Sequence, residues 1–273
     1  MPLITVKQQT CNRDGLCSSV CPMKIIDFPN GDYPTPVAGA EDLCIRCGHC
    51  VAVCPTGSLR HAELPLEACP PIRTDLLLSE EQSRQFLRGR RSIRNYRDRP
   101  VPREILQTLI ETARYAPSGH NSQGAEWLVV DNREELNRMS GIVADWMRWM
   151  LDNMADLARS LHMDRVLERI AGGEDVILRG APALIVAHAP KNDRMAPSTC
   201  TIALAYLELA AFGMALGTCW AGYFNAAATG FPPLKEALAL PEGHQSFGAM
   251  MVGYPQYRYH RLPTRKAPVI TWR

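Results

Sequence analysis

The feature that most narrows what this chain can fold into is one cysteine run, Cys44-Ile-Arg-Cys47-Gly-His-Cys50-Val-Ala-Val-Cys54-Pro55. Eight of the ten cysteines lie in the first 69 residues, and only Cys200 and Cys219 follow. The opening MPLITVKQQTC lacks a long apolar stretch of the secretory kind. Thiols crowded at one end are therefore read as metal ligands rather than disulfides. The spacing C-x2-C-x2-C-x3-C-P puts three thiolates on one tight loop, able to grip three irons of a cubane, while the fourth is redirected by proline toward a different cluster. Gly48 lets the backbone approach. Zinc also takes C-x2-C pairs, but as two pairs separated by a longer loop, not as four cysteines in eleven residues. The run is that of a 4Fe-4S site.

An imperfect copy precedes it: Cys11-Asn-Arg-Asp14-Gly-Leu-Cys17-Ser-Ser-Val-Cys21-Pro22. Superposed, Cys11, Cys17, Cys21 and Pro22 fall on Cys44, Cys50, Cys54 and Pro55, and Asp14 falls on Cys47. Over residues 1–65 this layout resembles the bacterial two-cluster ferredoxins. The resemblance implies one 4Fe-4S cluster held by Cys44, Cys47, Cys50 and Cys21. It implies a second held by Cys11, Cys17 and Cys54 with Asp14 at the fourth corner. That cluster is either a 4Fe-4S cubane with a carboxylate-held iron or a 3Fe-4S cluster. Cys69 lies outside both runs and reads as an ordinary linker cysteine. With five basic and seven acidic residues, residues 1–70 form an acidic one-electron relay that needs a redox partner.

Composition shifts once, at the proline-rich PLEACPPIRTD of residues 65–75, which places a boundary between domains expected at 1–70 and 76–273. Beyond it, Ser79-Glu-Glu-Gln82 is a capping box opening a short helix to about Arg88. Pro102 opens another, with Ile105, Leu109 and Ala113 on one face. Strand-like runs follow at 127–130, 184–187 and 249–252, with helical stretches between them. The pattern is α+β or α/β, and no G-x-G-x-x-G follows a strand, so nothing predicts a Rossmann nicotinamide site. The apolar run 202–224 is long enough for a membrane span, but Glu208 interrupts it, and a buried core helix is the better reading. A net charge of +2 gives no reason to expect nucleic acid. The expectation is a soluble cytoplasmic protein, with neither nucleic acid nor membrane as partner.

Charge is distributed unevenly. From Arg84 to Arg103 there are eight arginines and one acid, Asp98, and after residue 257 only bases, among them Arg258, Arg261, Arg265 and Lys266. Guanidinium forks and a serine hydroxyl in Arg90-Arg91-Ser92-Ile93-Arg94 suit a phosphate. A merely solvated basic face is the competing reading. Residues 90–130, with this loop, the following helix and the turn Ala-Pro-Ser118-Gly-His-Asn121-Ser-Gln, resemble the opening of the nitroreductase family of FMN-dependent enzymes. Leu216-Gly-Thr-Cys-Trp-Ala-Gly222, Val252-Gly-Tyr-Pro255 and the basic tail ending in Val-Ile-Thr-Trp272 continue the likeness over about 190 residues.

The resemblance implies a nitroreductase-like α+β sandwich following the ferredoxin-like domain, and an intertwined homodimer with FMN at the subunit interface. It assigns the FMN phosphate and ribityl chain to Arg90, Ser92 and Arg94, with Arg91 adjacent. Asn121, near Ser118, would hydrogen-bond the flavin. Ala221 and Gly222 would approach the isoalloxazine, and Arg261 would close the phosphate clamp. Many family members carry Lys two residues before that arginine, where Tyr259 stands here. Chemistry would occur at FMN N5 with no side-chain catalyst; His120 is assigned a structural role. The helical stretch 143–161, with Trp146, Met147, Met150 and Met154, reads as packing, or as a lid over the flavin. The function implied is an FMN-dependent oxidoreductase fed through the clusters, from a ferredoxin- or flavodoxin-like donor, and reducing a small electron-poor molecule such as a nitroaromatic or quinone. The alternatives are a same-fold flavin enzyme acting on a non-nitro metabolite, or a non-catalytic electron-transfer or redox-sensing protein.

Overall fold

In a computed structural model describing residues 2–273, the chain forms two compact units. The first runs to Leu77 and also takes in Gly119–Ser122; the second holds Leu78–Ser118 and Gln123–Arg273.

The first unit is built of very short elements: β1 (Ile4–Val6), α1 (Leu16–Val20), β2 (Ile26–Asp27), β3 (Thr35–Pro36), α2 (Ala40–Leu43), α3 (His49–Val53) and β4 (Leu59–His61). β1 pairs antiparallel with β4, and β2 with β3. The sequence repeat is also a backbone repeat. Gly15 (φ 70°) opens α1 and Gly48 (φ 72°) opens α3, both left-handed, a conformation glycine adopts without a side-chain penalty. Arg13 (φ 56°) and Arg46 (φ 53°) match in the same way. Each of the two helices ends on a cysteine of its run, Cys21 or Cys54. The core is small: Leu3, Ile4, Ile25, Ile26, Val51 and Leu59 pack beside the buried Cys17, Cys21 and Cys50.

The second unit is α+β. It comprises α4 (Glu80–Gly89), α5 (Arg103–Ala113), β5 (Glu126–Val130), α6 (Arg133–Asn153), α7 (Ala155–Ser160), α8 (Met163–Ala171), β6 (Ala183–Pro190), α9 (Ala196–Gly213), β7 (Gly217–Trp220), α10 (Gly222–Gly230), α11 (Pro232–Leu238) and β8 (His244–Gly253). The capping box forms as the sequence requires. Ser79 Oγ accepts from Gln82 N at 3.2 Å, and Ser79 N donates to Gln82 Oε1 at 2.9 Å. The sheet is antiparallel throughout, in the order β5-β6-β8-β7. Central β6 is buried on both faces, and its period-2 alternation feeds two core layers. Ile185, Ala187 and Ala189 face Leu109, Leu204 and Leu207 of α5 and α9. Leu184 and Val186 face the layer of Met147, Phe224 and Leu234, from α6, α10 and α11.

The apolar run 202–224 is divided among α9, β7 and α10, and among the described residues no helix is long and apolar enough to cross a membrane. Trp146, Met147 and Met150 are core residues of α6, as the packing reading expects, whereas Met154 is 45% exposed.

Candidate functional site

Two cavities in the first unit collect the cysteines in crossed sets. One is lined by Cys21, Cys44, Cys47 and Cys50. The other is lined by Cys11, Asp14, Cys17 and Cys54. Each set draws three donors from one half of the repeat and one from the other, because Cys21 and Cys54 lie where α1 and α3 end and the chain turns away. The donor chemistry fits iron–sulfur clusters: four soft donors around one cavity, or three and a carboxylate, with main-chain N–H groups already aimed at sulfur. Arg46 N donates to Cys44 Sγ at 3.4 Å and Ser58 N to Cys54 Sγ at 3.3 Å. Burial pushes the Cys50 thiol up to about 11 and raises that of Cys17, so iron must displace protons from both. At Cys54 burial acts in the same direction, but donation from the Leu59 and Ser58 main chain and from Thr56 outweighs it and holds the thiol below its ordinary value.

His61 was not singled out in the sequence. It is buried, and its Nδ1 accepts from Glu63 N at 3.1 Å. Burial holds its pKa below the ordinary value, so the ring is neutral and its one proton sits on Nε2. That nitrogen lies 3.5 Å from Cys44 Sγ.

In the second unit the arginine loop is held against β7 by a single bridge. Ser92 bridges in parallel to Thr218 of β7, and Ile93 N donates to Thr218 O at 2.8 Å. Gly217 permits this close approach, because a Cβ there would meet Ile93 at 2.5 Å. Farther on, Arg97 N donates to Tyr254 O at 2.8 Å and Gln256 N to Asn95 O at 3.0 Å, tying the loop to the segment after β8. The result is a cleft of about 430 Å³ to which Arg90, Arg91, Thr218, Tyr259 and Arg261 contribute.

Two of these arginines are positioned by groups that carry no motif. Arg90 Nη1 donates to Glu208 Oε1 at 2.8 Å, from the middle of α9. Burial raises the Glu208 pKa, while Arg90 and hydrogen bonds from Thr218 and Trp220 pull the other way. Arg91 lies over the Tyr259 ring, 5.7 Å from its centroid. The Tyr259 departure thus supplies an aromatic face for Arg91. Glu208 had a sequence signal, a lone acid inside an apolar run; Tyr259 had none that pointed to Arg91.

Of the residues assigned from sequence, the structure gathers Arg90, Arg91 and Arg261 at the cleft, with Ser92 bridged to its Thr218. Arg94 is exposed and is not among the lining residues. Ala221 caps α10 and Gly222 begins it, outside the cleft lining. Ser118 Oγ accepts from Gln123 N at 2.9 Å. Asn121 belongs to the first unit, where its Nδ2 donates to Ile45 O at 3.2 Å and Arg46 O at 3.1 Å. The cleft residues fit the phosphate end of FMN: three guanidinium groups, one already oriented by a carboxylate and one by an aromatic face.

Comparison with known proteins agrees with both halves. A model of the nitroreductase family matches residues 87–254, and a model of a 4Fe-4S dicluster domain matches residues 9–59. An NADH dehydrogenase of Thermus thermophilus is 30% identical over 204 residues, covering 67% of this chain and 92% of the relative. A putative NADH dehydrogenase/NAD(P)H nitroreductase of Archaeoglobus fulgidus is 26% identical over 180 residues, covering 64% and 87%. Among solved structures, a nitroreductase with bound FMN from Bacteroides fragilis has the same fold, with a TM-score of 0.58, 22% identity, and coverage of 71% of this chain and 98% of that one. The arginine loop zipped to β7, the sheet flanked by two helical layers and the match over 87–254 converge: this chain belongs to the nitroreductase family, with a 4Fe-4S dicluster domain ahead of the family's fold.

Proposed function

We propose that this FMN-dependent oxidoreductase takes in electrons one at a time through its cysteine-rich unit and delivers them in pairs, with two protons, to a small electron-poor acceptor such as a quinone or nitroaromatic. The observation that carries the reading is the pair of four-donor cavities in the same chain as a tri-arginine cleft. Bound clusters supply one-electron transfer, and bound FMN supplies a two-electron store with its chemistry at N5. The chain's own residues do the holding. Arg90, Arg91 and Arg261 bind the phosphate, Glu208 and Tyr259 fix two of those guanidinium groups, and the Ser92–Thr218 bridge fixes the loop. The resemblance alone assigns Arg94, Ser118, Asn121, Ala221 and Gly222 to the flavin, and it alone supports a homodimer. Cys21, Cys44, Cys47 and Cys50 hold one 4Fe-4S cluster. Cys11, Cys17, Cys54 and Asp14 hold a second cluster, of 4Fe-4S or 3Fe-4S type; iron analysis separates about eight irons per chain from about seven.

A second reading has a specific observation behind it. The two curated relatives described above are named for NADH or NAD(P)H, so hydride from a nicotinamide is the competing electron source. Yet the matches use 87% and 92% of those relatives and leave about a third of this chain over, room that a relay domain fills. Rapid mixing decides between the two. A low-potential one-electron donor should reduce the flavin of the whole protein at least about tenfold faster than that of a Cys44→Ser/Cys47→Ser variant, while any reduction by NADH is the same in both. Equal rates with the one-electron donor would overturn the relay.

A further inference from the structure

Away from the cleft and the cysteine cavities, three side chains of the second unit converge at one end of its sheet. Glu126 begins β5, His188 lies near the end of β6 directly opposite it, and His244 begins β8. The ladder between β6 and β8 slips at Ala187/His188, an irregularity that re-aims side chains locally. His188 Nδ1 and His244 Nδ1 stand 3.1 Å apart, and Glu126 Oε2 is 4.0 Å from His244 Nδ1. The three ligand atoms all lie within 4.8 Å of one another. Among the described residues no lysine or arginine pairs with Glu126.

We infer that Glu126, His188 and His244 form a binding site for a divalent transition-metal ion, zinc being the ion whose donor preferences the set matches. Two ligands bonded at about 2.0–2.1 Å to a tetrahedral zinc lie roughly 3.3 Å apart, so the imidazole pair is already spaced for one ion. The carboxylate needs only a side-chain shift, and Glu126 is exposed and free to make it. His188 is 5% exposed, so its ring is held in place by the surrounding fold with Nδ1 turned to His244. Without metal, the short Nδ1···Nδ1 contact needs one proton between the rings. With metal, both rings take the Nε2–H tautomer and both Nδ1 lone pairs face the ion. Two imidazoles and one carboxylate leave a fourth position for water or a ligand, on the solvent side where Glu126 stands. The ion would tie together the ends of three adjacent strands.

The test uses the full-length protein with its clusters loaded, titrated with zinc chloride by calorimetry, and with magnesium chloride as a hard-cation control. The expected result is one zinc per chain and no magnesium binding. Zinc-edge X-ray absorption should show nitrogen and oxygen scatterers at about 2.0–2.1 Å and no sulfur near 2.3 Å. Glu126→Gln should weaken zinc binding at least about tenfold, and His244→Gln at least about a hundredfold. Neither replaces a fully buried residue, so the test does not depend on the folding of a His188 variant. Sulfur scatterers, which would place zinc on thiolates, or unchanged affinity in both variants would overturn the assignment.

Discussion

β6 of the second unit has seven consecutive buried residues, whereas among the described residues of the first unit no helix exceeds five residues and no strand exceeds three. One unit closes around two layers of aliphatic and aromatic side chains; the other closes around cavities whose walls are its proposed ligands. Cys17, Cys21 and Cys50 are both core residues and proposed ligands. A core this small leaves the fold of some seventy residues marginal without cross-links or metal. On the proposed ligand sets, the same chain uses cofactors in two ways: as part of the fold at one end, and as guests of a finished fold at the other.

The largest effect that could break this contrast is loss of the clusters. Stripping iron with acid or chelator should collapse amide-exchange protection across residues 3–61, while β6 and β8 keep theirs. Retained protection in the first unit would mean that its aliphatic core suffices. Next in size is Arg91→Ala, which removes a charge-assisted contact and should weaken FMN binding about ten- to a hundredfold, from about 1.5–3 kcal/mol. Equilibrium dialysis should show this loss with the iron content unchanged, as expected of a guest site.

His61→Leu removes the Nε2–H facing Cys44 Sγ. Such a donor favours the more negative, reduced cluster, so the variant's potential should fall, by about 20–60 mV if the bond contributes about 0.5–1.5 kcal/mol. A potentiometric EPR titration that finds no fall would remove His61 from the cluster's surroundings. The smallest effect concerns Glu208. Burial raises its pKa in the fold, so its contribution to stability is full below the ordinary glutamate range and is lost as pH rises through the raised value. Urea midpoints of the second unit should therefore decline over that window in the wild type and less steeply in Glu208→Gln. Equal slopes would assign the pH dependence to other groups.

What was legible in the sequence was local. The crossed cysteine sets follow from the ferredoxin resemblance that the repeat carries, the capping box from four residues, and the strands around 127–130, 184–187 and 249–252 from unbroken apolar runs. β7 escaped notice because its four residues include Gly217 and a half-exposed Trp220, and only pairing with β8 and the arginine loop makes it a strand. Glu208 meets Arg90 across 118 positions, and Tyr259 meets Arg91 across a still longer span. No pattern read in a short window reports such pairs. The placement of Gly119–Ser122 in the first unit is of the same kind: the turn was visible, its carbonyl partners at Ile45 and Arg46 were not.

The bridge from Ser92 to Thr218 has a consequence beyond orienting guanidinium groups. β7 is the last strand of its sheet, and an unprotected edge offers main-chain donors and acceptors to any passing chain. Ser92 and Ile93 occupy part of that edge, so the loop proposed to meet the phosphate is also the sheet's cover. Anything that loosens Arg90–Arg94 uncovers β7 at the same stroke. Cover of that edge and, on the proposed assignment of the phosphate, retention of flavin are thereby made to depend on one loop.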